Sequence, residues 1–494
     1  MFYKKIPTSI KLSTLQKNIT TGFIWTGIQT VGTKLIALTT QLFLAWLLVP
    51  EDFGKVSIAT SITSVIFLIQ ALGLSDVMVS RGHMYFKVFN LAKSIAALTS
   101  LACFLISILT GLITGIYLFQ DIEITYLILI FSFCVPFNAM SVIADAKLRI
   151  DLKFKQLSFI RLLEFFISNF LLVSFVLLNL GIYSFVLAPV VASISRYFLI
   201  HKIANVQHLF HFSLHHYTYL LSNSLWGFLH NICQTIIRQS DYLIIGLFVS
   251  TQAVGLYFMG YSLSVQVIGL LVNSLTPVFF PILRKINTEN KEKIKIILIK
   301  IITVFSLFGM CFSFLQATLA EPLMTIFLEP KWKESILIVQ ILSIGIGFNV
   351  ASTVWAISLK LKNAFYKQAI LSLQGVTIFI ISITLATKYY GTIGTAVSVS
   401  LYNIFFNLYL LAISLKYYNI EIRTILNISF KYFFIALIIF GTTYLITFDA
   451  QFNNWTKILI NSIIPATIYF ISTYLFDNNS KNIYQEIYTK FVKK

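Results

Sequence analysis

The chain has 494 residues, of which 57% are hydrophobic, 15% aromatic and only 11% charged. That balance excludes an ordinary soluble domain, and apolar runs of about twenty residues, enough to cross a bilayer core, recur along its whole length. The net charge of +19 is spread over short loops between the runs. This argues against a nucleic-acid partner and for orientation by positive loops, with attraction to anionic lipid heads.

Residues 1–20 are polar and carry Lys4, Lys5, Lys11 and Lys17, the pattern of an interfacial, cytoplasmic lead-in. The first apolar run starts near Gly22 and is too long for the core of a cleavable leader, so none is expected. The hydropathy pattern predicts about fourteen transmembrane helices, near 22–49, 53–74, 91–117, 124–144, 158–178, 181–203, 219–249, 253–283, 296–320, 335–359, 366–387, 391–415, 430–448 and 455–476. None of these runs has the two-residue alternation of a barrel strand. The expected fold is therefore an all-α polytopic membrane protein. Alternate loops hold most of the Lys and Arg, for example Lys147, Arg149, Lys153 and Lys155, while the opposite loops hold Asp121, Glu123 and Glu329. That bias places both termini in the cytoplasm. The opposite loops are too short for a soluble domain, which weakens enzyme readings.

An internal repeat divides the chain. Trp25 and Gly54 recur as Trp226 and Gly255 at an offset of 201, Gly54 within LLVPEDFGKVS (47–57) and Gly255 within LFVSTQAVGLY (247–257). Likewise GIYSFVLAPVVAS at Gly181 is echoed by GTIGTAVSVSLYN at Gly391. Chance similarity between two membrane spans is the plain alternative. The repeat predicts two pseudo-symmetric six-helix lobes plus a C-terminal helix pair. The expected organisation is a lead-in at 1–20, an N-lobe at 21–205 and a cytoplasmic linker at 206–218. A C-lobe at 219–416, a terminal pair at 417–478 and a cytoplasmic tail at 479–494 complete it.

The seventh span carries the most unusual pattern. Asn223, Gly227, His230, Gln234, Arg238 and Asp241 follow at steps of four, three, four, four and three, so they share one helical face. A charge at the centre of a membrane helix costs about 2.5–3.5 kcal/mol on insertion scales. Arg238 and Asp241 therefore mark either a substrate or proton site in a wet cavity or a structural ion pair one turn apart. The first span repeats the stripe in milder form as Gly22, Thr26, Gln29, Thr33, Ala37 and Thr40, with Lys34 beside it. Arg161 and Glu164 on the fifth span read equally as cavity lining and as a structural pair. Arg81 and Arg149 read as positive loop residues, or as receivers of an anionic headgroup.

Cys103, Cys134, Cys233 and Cys311 lie in apolar runs and imply no disulfide or metal. His208, His211, His215 and His216 have one helical spacing among them but no acid or thiol to complete a metal site. No phosphate-binding loop or nucleophile motif is present, so neither a metal nor a cofactor is expected.

Several stretches carry a family resemblance. GFIWTGIQTVGTKLIALTTQLFLAWLLVPEDFG (22–54) resembles the opening helix of Wzx-type polysaccharide flippases of the O-antigen, colanic-acid and exopolysaccharide kind. RQSDYLIIGLFVSTQAVGLYFMGYSL (238–263) resembles that family's seventh-span motif, and TPVFFPILRKI (276–286) and LAEPLMTIFLEPKWKES (319–335) are similar to further stretches of it. The family often has a basic residue soon after the "I-G" of the seventh-span motif, where this chain has Leu247. The resemblance places the chain in the multidrug/oligosaccharidyl-lipid/polysaccharide exporter superfamily. It implies a multi-pass protein of a bacterial plasma membrane that moves undecaprenyl-diphosphate-linked oligosaccharides by alternating access between two lobes. A diphosphate headgroup would then meet Arg238, Lys34 and Arg161, and its sugars would meet Asn223, His230 and Gln234. Asp241 or Glu164 would couple transport to protons or sodium. Besides the lipid-linked oligosaccharide and membrane lipids, a polysaccharide polymerase and other assembly proteins are the implied partners. Two other classes fit the sequence less well: a MATE-type antiporter of small cations, which calls for net-acidic lobes, and a non-transporting scaffold for glycan assembly.

Overall fold

The computed structural model describes residues 12–71, 78, 85–205, 225–287, 291–449, 452–477, 480–481, 483–485 and 489. Among these residues every regular element is helical and no strand forms. Eleven helical stretches are long and apolar enough to cross a membrane. Their outer faces expose large apolar side chains such as Leu105, Leu109, Phe170, Ile438 and Leu475. Such faces are stable only against lipid, and helices are the form that satisfies its own backbone there. The protein is a multi-pass membrane protein.

The chain packs into two compact units. One comprises Met1–Leu48 and Lys55–Leu243, the other Val49–Gly54 and Ile244–Lys494. The boundary expected from sequence at 219 falls ahead of the eighth helix, whereas the boundary between the units falls inside it. Ser61 Oγ donates to Gln239 Oε1 at 3.0 Å, which ties most of that helix to the first unit.

The first unit holds α1 (Leu12–Leu47), α2 (Pro50–Ala71, from Lys55 onward), α3 (Tyr85–Leu112), α4 (Ile122–Ser132), α5 (Cys134–Ile150), α6 (Phe154–Leu177), α7 (Ser184–Ala204) and most of α8 (Leu225–Phe248). Helix α6 packs on α1 and α7, and α5 packs on α3 and α7. A buried cluster of Ala144, Leu148, Leu157, Ile160, Ile200 and Ala204 locks α5, α6 and α7 together. Small residues permit close approach elsewhere, as membrane helices require without a water-driven hydrophobic effect between them. A Cβ on Gly115 would fall 1.8 Å from Thr125 Oγ1, and the chain is wound as a π-helix at this point, Ile113–Leu118. Asp121 then caps α4 by accepting from the Glu123 N–H at 2.8 Å. Lys55 holds both acids, at 3.1 Å from Asp121 and 2.7 Å from Glu123. Lys55 sits in α2.

The second unit holds the end of α8, then α9 (Thr251–Asn287), α10 (Lys291–Phe327), α11 (Ser335–Ser352), α12 (Val354–Leu361), α13 (Phe365–Leu401), α14 (Asn407–Leu415), α15 (Ile422–Asp449) and α16 (Asn454–Phe476). Helix α10 is the spine, packing on α11, α15 and α16. Tyr469 pins α16 to it by donating to the Leu307 carbonyl at 3.0 Å. The spans expected at 366–387 and 391–415 run on without a loop and meet at a kink at Gly391, whose φ of 60° and ψ of −147° are non-helical. Only glycine adopts that backbone cheaply. Asn179, Asn205 and Asn419 stop their helices in the left-handed region, with φ of 63°, 47° and 53°, a conformation asparagine tolerates better than other side chains.

The start of α2 belongs to the second unit and meets α9 there. A Cβ on Gly54 would lie 1.8 Å from the Thr251 carbonyl oxygen, and a Cβ on Gly255 would lie 1.7 Å from that of Pro50. Both pairs are related by the offset of 201, so the repeat read from sequence is a two-fold contact in space. Phe53 adds ring contacts with Phe258 and Trp332 at 6.0 and 5.2 Å.

Candidate functional site

The first unit holds a partly open cavity of about 340 Å³. Gln29 and Thr33 reach it from α1, Asn138 from α5, Arg161, Glu164 and Ser168 from α6, and Ser193 from α7, while Phe67, Phe131 and Phe165 supply apolar wall. Spacing explains the α6 contribution. Arg161, Glu164 and Ser168 follow at steps of three and four, one face of a helix, and Gln29 and Thr33 are one turn apart on α1. The result is a pocket lined by amides, hydroxyls and two charged groups within an otherwise apolar bundle, the composition of a binding site for a polar ligand.

Its charges belong to a larger network. Asp145 on α5 is 4% exposed and takes two hydrogen bonds from Arg161 Nη2, at 3.1 Å to Oδ1 and 2.8 Å to Oδ2. Arg149, one turn along α5, meets Oδ2 at 3.0 Å, and Arg196 on α7 approaches Oδ1 at 3.7 Å. Arg196 also donates to Glu164 Oε1 at a long 3.4 Å, and its buried Nε has no hydrogen-bond partner. Among the described residues three guanidinium groups thus share two carboxylates, one more cation than anion. A buried carboxylate such as Asp145 is stable only when paired, and an orphan buried N–H costs about 1–3 kcal/mol.

The residues singled out in the sequence fall in different surroundings. Arg161 and Glu164 both line the cavity but do not pair with each other. Each is drawn to a partner on another helix, because Asp145 and Arg196 lie closer than the next turn of α6. Arg149 is likewise a member of this network rather than a simple loop charge, and Arg196 joins it from α7. Arg238 and Asp241 do not form the ion pair that was one of their two readings. Arg238 is exposed and makes no ion pair among the described residues, whereas Asp241 is 1% exposed, and its Oδ1 accepts from the Tyr242 N–H at 3.0 Å. On the same helix His230 is buried and Gln234 half-buried. The face shared in the sequence therefore spans both buried and open surroundings. Lys34 is half-buried beside Thr33 and makes no ion pair among the described residues. Asn223, Arg81 and the four histidines at 208–216 lie outside the described residues. Among the described residues no group of three metal-binding side chains forms.

Asp145 escaped the sequence reading. Its signal was an acid inside an apolar run with an arginine four residues on, ADAKLR, which the basic loop beyond it concealed.

The family model described as "Polysaccharide biosynthesis protein" matches residues 43–337 of the chain. The chain belongs to this polysaccharide biosynthesis protein family. Within curated proteins, the succinoglycan biosynthesis transport protein ExoT of Rhizobium meliloti (strain 1021) is 22% identical over 321 residues, and the match spans 64% of each protein. The family member's fold is that of known transporters. It is similar to the lipid II flippase MurJ in an inward closed conformation, with a TM-score of 0.73 at 20% identity, over 92% of this chain and 98% of that one. It is also similar to an inward-facing multidrug resistance MATE family transporter of the MOP superfamily, with a TM-score of 0.61 at 14% identity, over 80% and 95% of the two chains. The site described above lies largely within the residues the family model matches.

Proposed function

We propose that this polysaccharide biosynthesis protein is a flippase. It carries undecaprenyl-diphosphate-linked oligosaccharide repeat units from the cytoplasmic to the outer leaflet of a bacterial plasma membrane, by alternating access, with both termini cytoplasmic. The observation that carries the reading is an amide- and hydroxyl-lined cavity that contains Arg161 and adjoins a cluster of three arginines and two acids among the described residues, in a member of this family. A diphosphate needs guanidinium groups when it leaves water. Sugar hydroxyls need amides, hydroxyls and aromatic faces, and a polyprenyl chain can stay in lipid while its head moves.

In this scheme Arg161 takes the diphosphate, with Lys34 and Arg238 as further cations along its path. Asn223, His230 and Gln234 meet the sugars, and Glu164 or Asp241 couples the cycle to a proton or sodium ion. The N-lobe at 21–205 and C-lobe at 219–416 are the moving parts, with 417–478 as a terminal pair. A polysaccharide polymerase and other assembly proteins receive the product. The test is reconstitution into vesicles with a fluorescent polyprenyl-diphosphate oligosaccharide and a membrane-impermeant quencher. The expected result is label exchange between leaflets well above that of protein-free vesicles, lost in Arg161→Ala. Exchange no faster than in empty vesicles under any ion gradient would remove the transport reading and favour a scaffold.

The MATE-like fold favours a second reading, export of small cations. Three arginines against two acids in the cavity cluster oppose it, because a cationic ligand would be repelled.

A further inference from the structure

The Asp145 carboxylate occupies an unusual position. It sits where guanidinium groups from three helices converge, Arg149 on α5, Arg161 on α6 and Arg196 on α7, at 3.0, 2.8 and 3.7 Å. One carboxylate cannot satisfy three forks. Arg161 takes both of its oxygens, Arg149 shares one, and Arg196 is left with long contacts and a buried Nε without a partner. A group with more acceptor oxygens and more negative charge than a carboxylate would fit this convergence better, and phosphoryl groups have both. The cavity lies alongside, since Arg161 and Glu164 line it.

We propose that Asp145 is a built-in stand-in for the phosphoryl group of the ligand. It holds the arginines in place while the site is empty and competes with the incoming anion for them. Arg161 and Arg196 then turn from the carboxylate to the phosphoryl oxygens, and Arg149, one turn from Asp145 on the same helix, keeps the released carboxylate paired. The arrangement keeps the arginines ordered without ligand. It also limits affinity, because each guanidinium that turns to the anion must first leave a carboxylate. A carrier needs that limit, since a site that held a diphosphate too tightly would not release it. The inference rests on the transport reading for its ligand class but concerns binding alone.

The experiment measures binding of inorganic diphosphate and of farnesyl diphosphate to the purified full chain in detergent, with farnesol as the phosphate-free control. Asp145→Asn removes the competing charge and keeps an acceptor, and is expected to tighten both anions by about tenfold or more, the scale of one charge-assisted hydrogen bond. Arg196→Gln is expected to weaken both, and farnesol is expected to respond to neither change. Glu164→Gln, which removes the same charge from the same cluster without freeing Arg161, is expected to tighten binding less than Asp145→Asn. Unchanged or weaker anion binding in Asp145→Asn overturns the proposal, as does equal tightening in Glu164→Gln. If Asp145→Asn does not fold, Asp145→Asn combined with Arg149→Gln removes one charge of each sign and carries the same expectation. A wild-type protein that flips lipid-linked glycan yet binds no diphosphate overturns this inference alone. One that binds diphosphate with the Asp145 dependence yet moves nothing across vesicles overturns the transport reading alone.

Discussion

The two units bury polarity in different forms. The first holds charges between α5, α6 and α7, with Asp145 under Arg149, Arg161 and Arg196. The second places neutral amides and hydroxyls at its corresponding helices. Asn403 Oδ1 accepts from Asn407 Nδ2 at 3.0 Å and from Asn349 Nδ2 at 3.4 Å. Thr387 and Thr395 meet at 2.7 Å across the Gly391 kink. A neutral network is held by hydrogen bonds between uncharged groups, whereas the charged cluster is held by ion pairs that cost more to break. In the first unit the buried polar groups between these helices are charged, and in the second they are neutral and hydrogen-bonded to one another.

The largest expected effect breaks the charged side of this contrast. Asp145→Ala leaves three guanidinium groups around a buried gap and is expected to cost about 3–5 kcal/mol of stability, read as a lowered thermal midpoint in detergent. Asn403→Ala in the neutral network is expected to cost less, about 1–3 kcal/mol. Equal losses from the two would mean that the units differ in sequence only.

Backbone contacts sharpen the comparison next. Gly54→Ala and Gly255→Ala each drive a Cβ into a carbonyl oxygen, an overpacking cost of about 1–3 kcal/mol or more. Gly227→Ala, where no atom lies within 4 Å, is expected to be neutral or mildly stabilising by about 1 kcal/mol through helix propensity. Folded yield and thermal midpoint measured on all three distinguish a close contact from a mere preference for glycine.

The smallest effect lies at the end of the second unit, beyond α16. Burial alone would raise the Asp477 pKa, but hydrogen bonds from Ser480, Tyr432 and Lys431 outweigh it and hold the carboxyl well below its ordinary 3.8. A depressed folded-state pKa gives stability that is fully present above pH 3.8 and is lost as pH falls below that value. Asp477→Asn is therefore expected to lower the thermal midpoint by a few degrees at pH 7 and to flatten its fall between about pH 4 and about pH 2. An unchanged acid response would place the acid sensitivity elsewhere.

Much of this was legible in the sequence. Helices are imposed by lipid, so apolar length alone located most of them, and the tandem glycines and tryptophans exposed the repeat. The polar face of α6 was legible too, because Arg161 and Glu164 are conspicuous inside a span. Their partners were not. Helical spacing ranks neighbours on one helix, but a buried charge takes whichever opposite charge the bundle brings nearest, and α5 and α7 bring Asp145 and Arg196. The same limit applies to Arg238 and Asp241, whose one-turn spacing permits a pair that their different surroundings do not produce.

The meeting of Gly54 with Gly255 follows the logic of an isologous dimer interface, folded into a single polypeptide. Each glycine accommodates the carbonyl of the other's helix, so the obstacle met by a side chain on one is met again on the other. A compensating change would have to be made twice, at positions 201 residues apart, before either became tolerable. Such a contact constrains sequence drift in pairs.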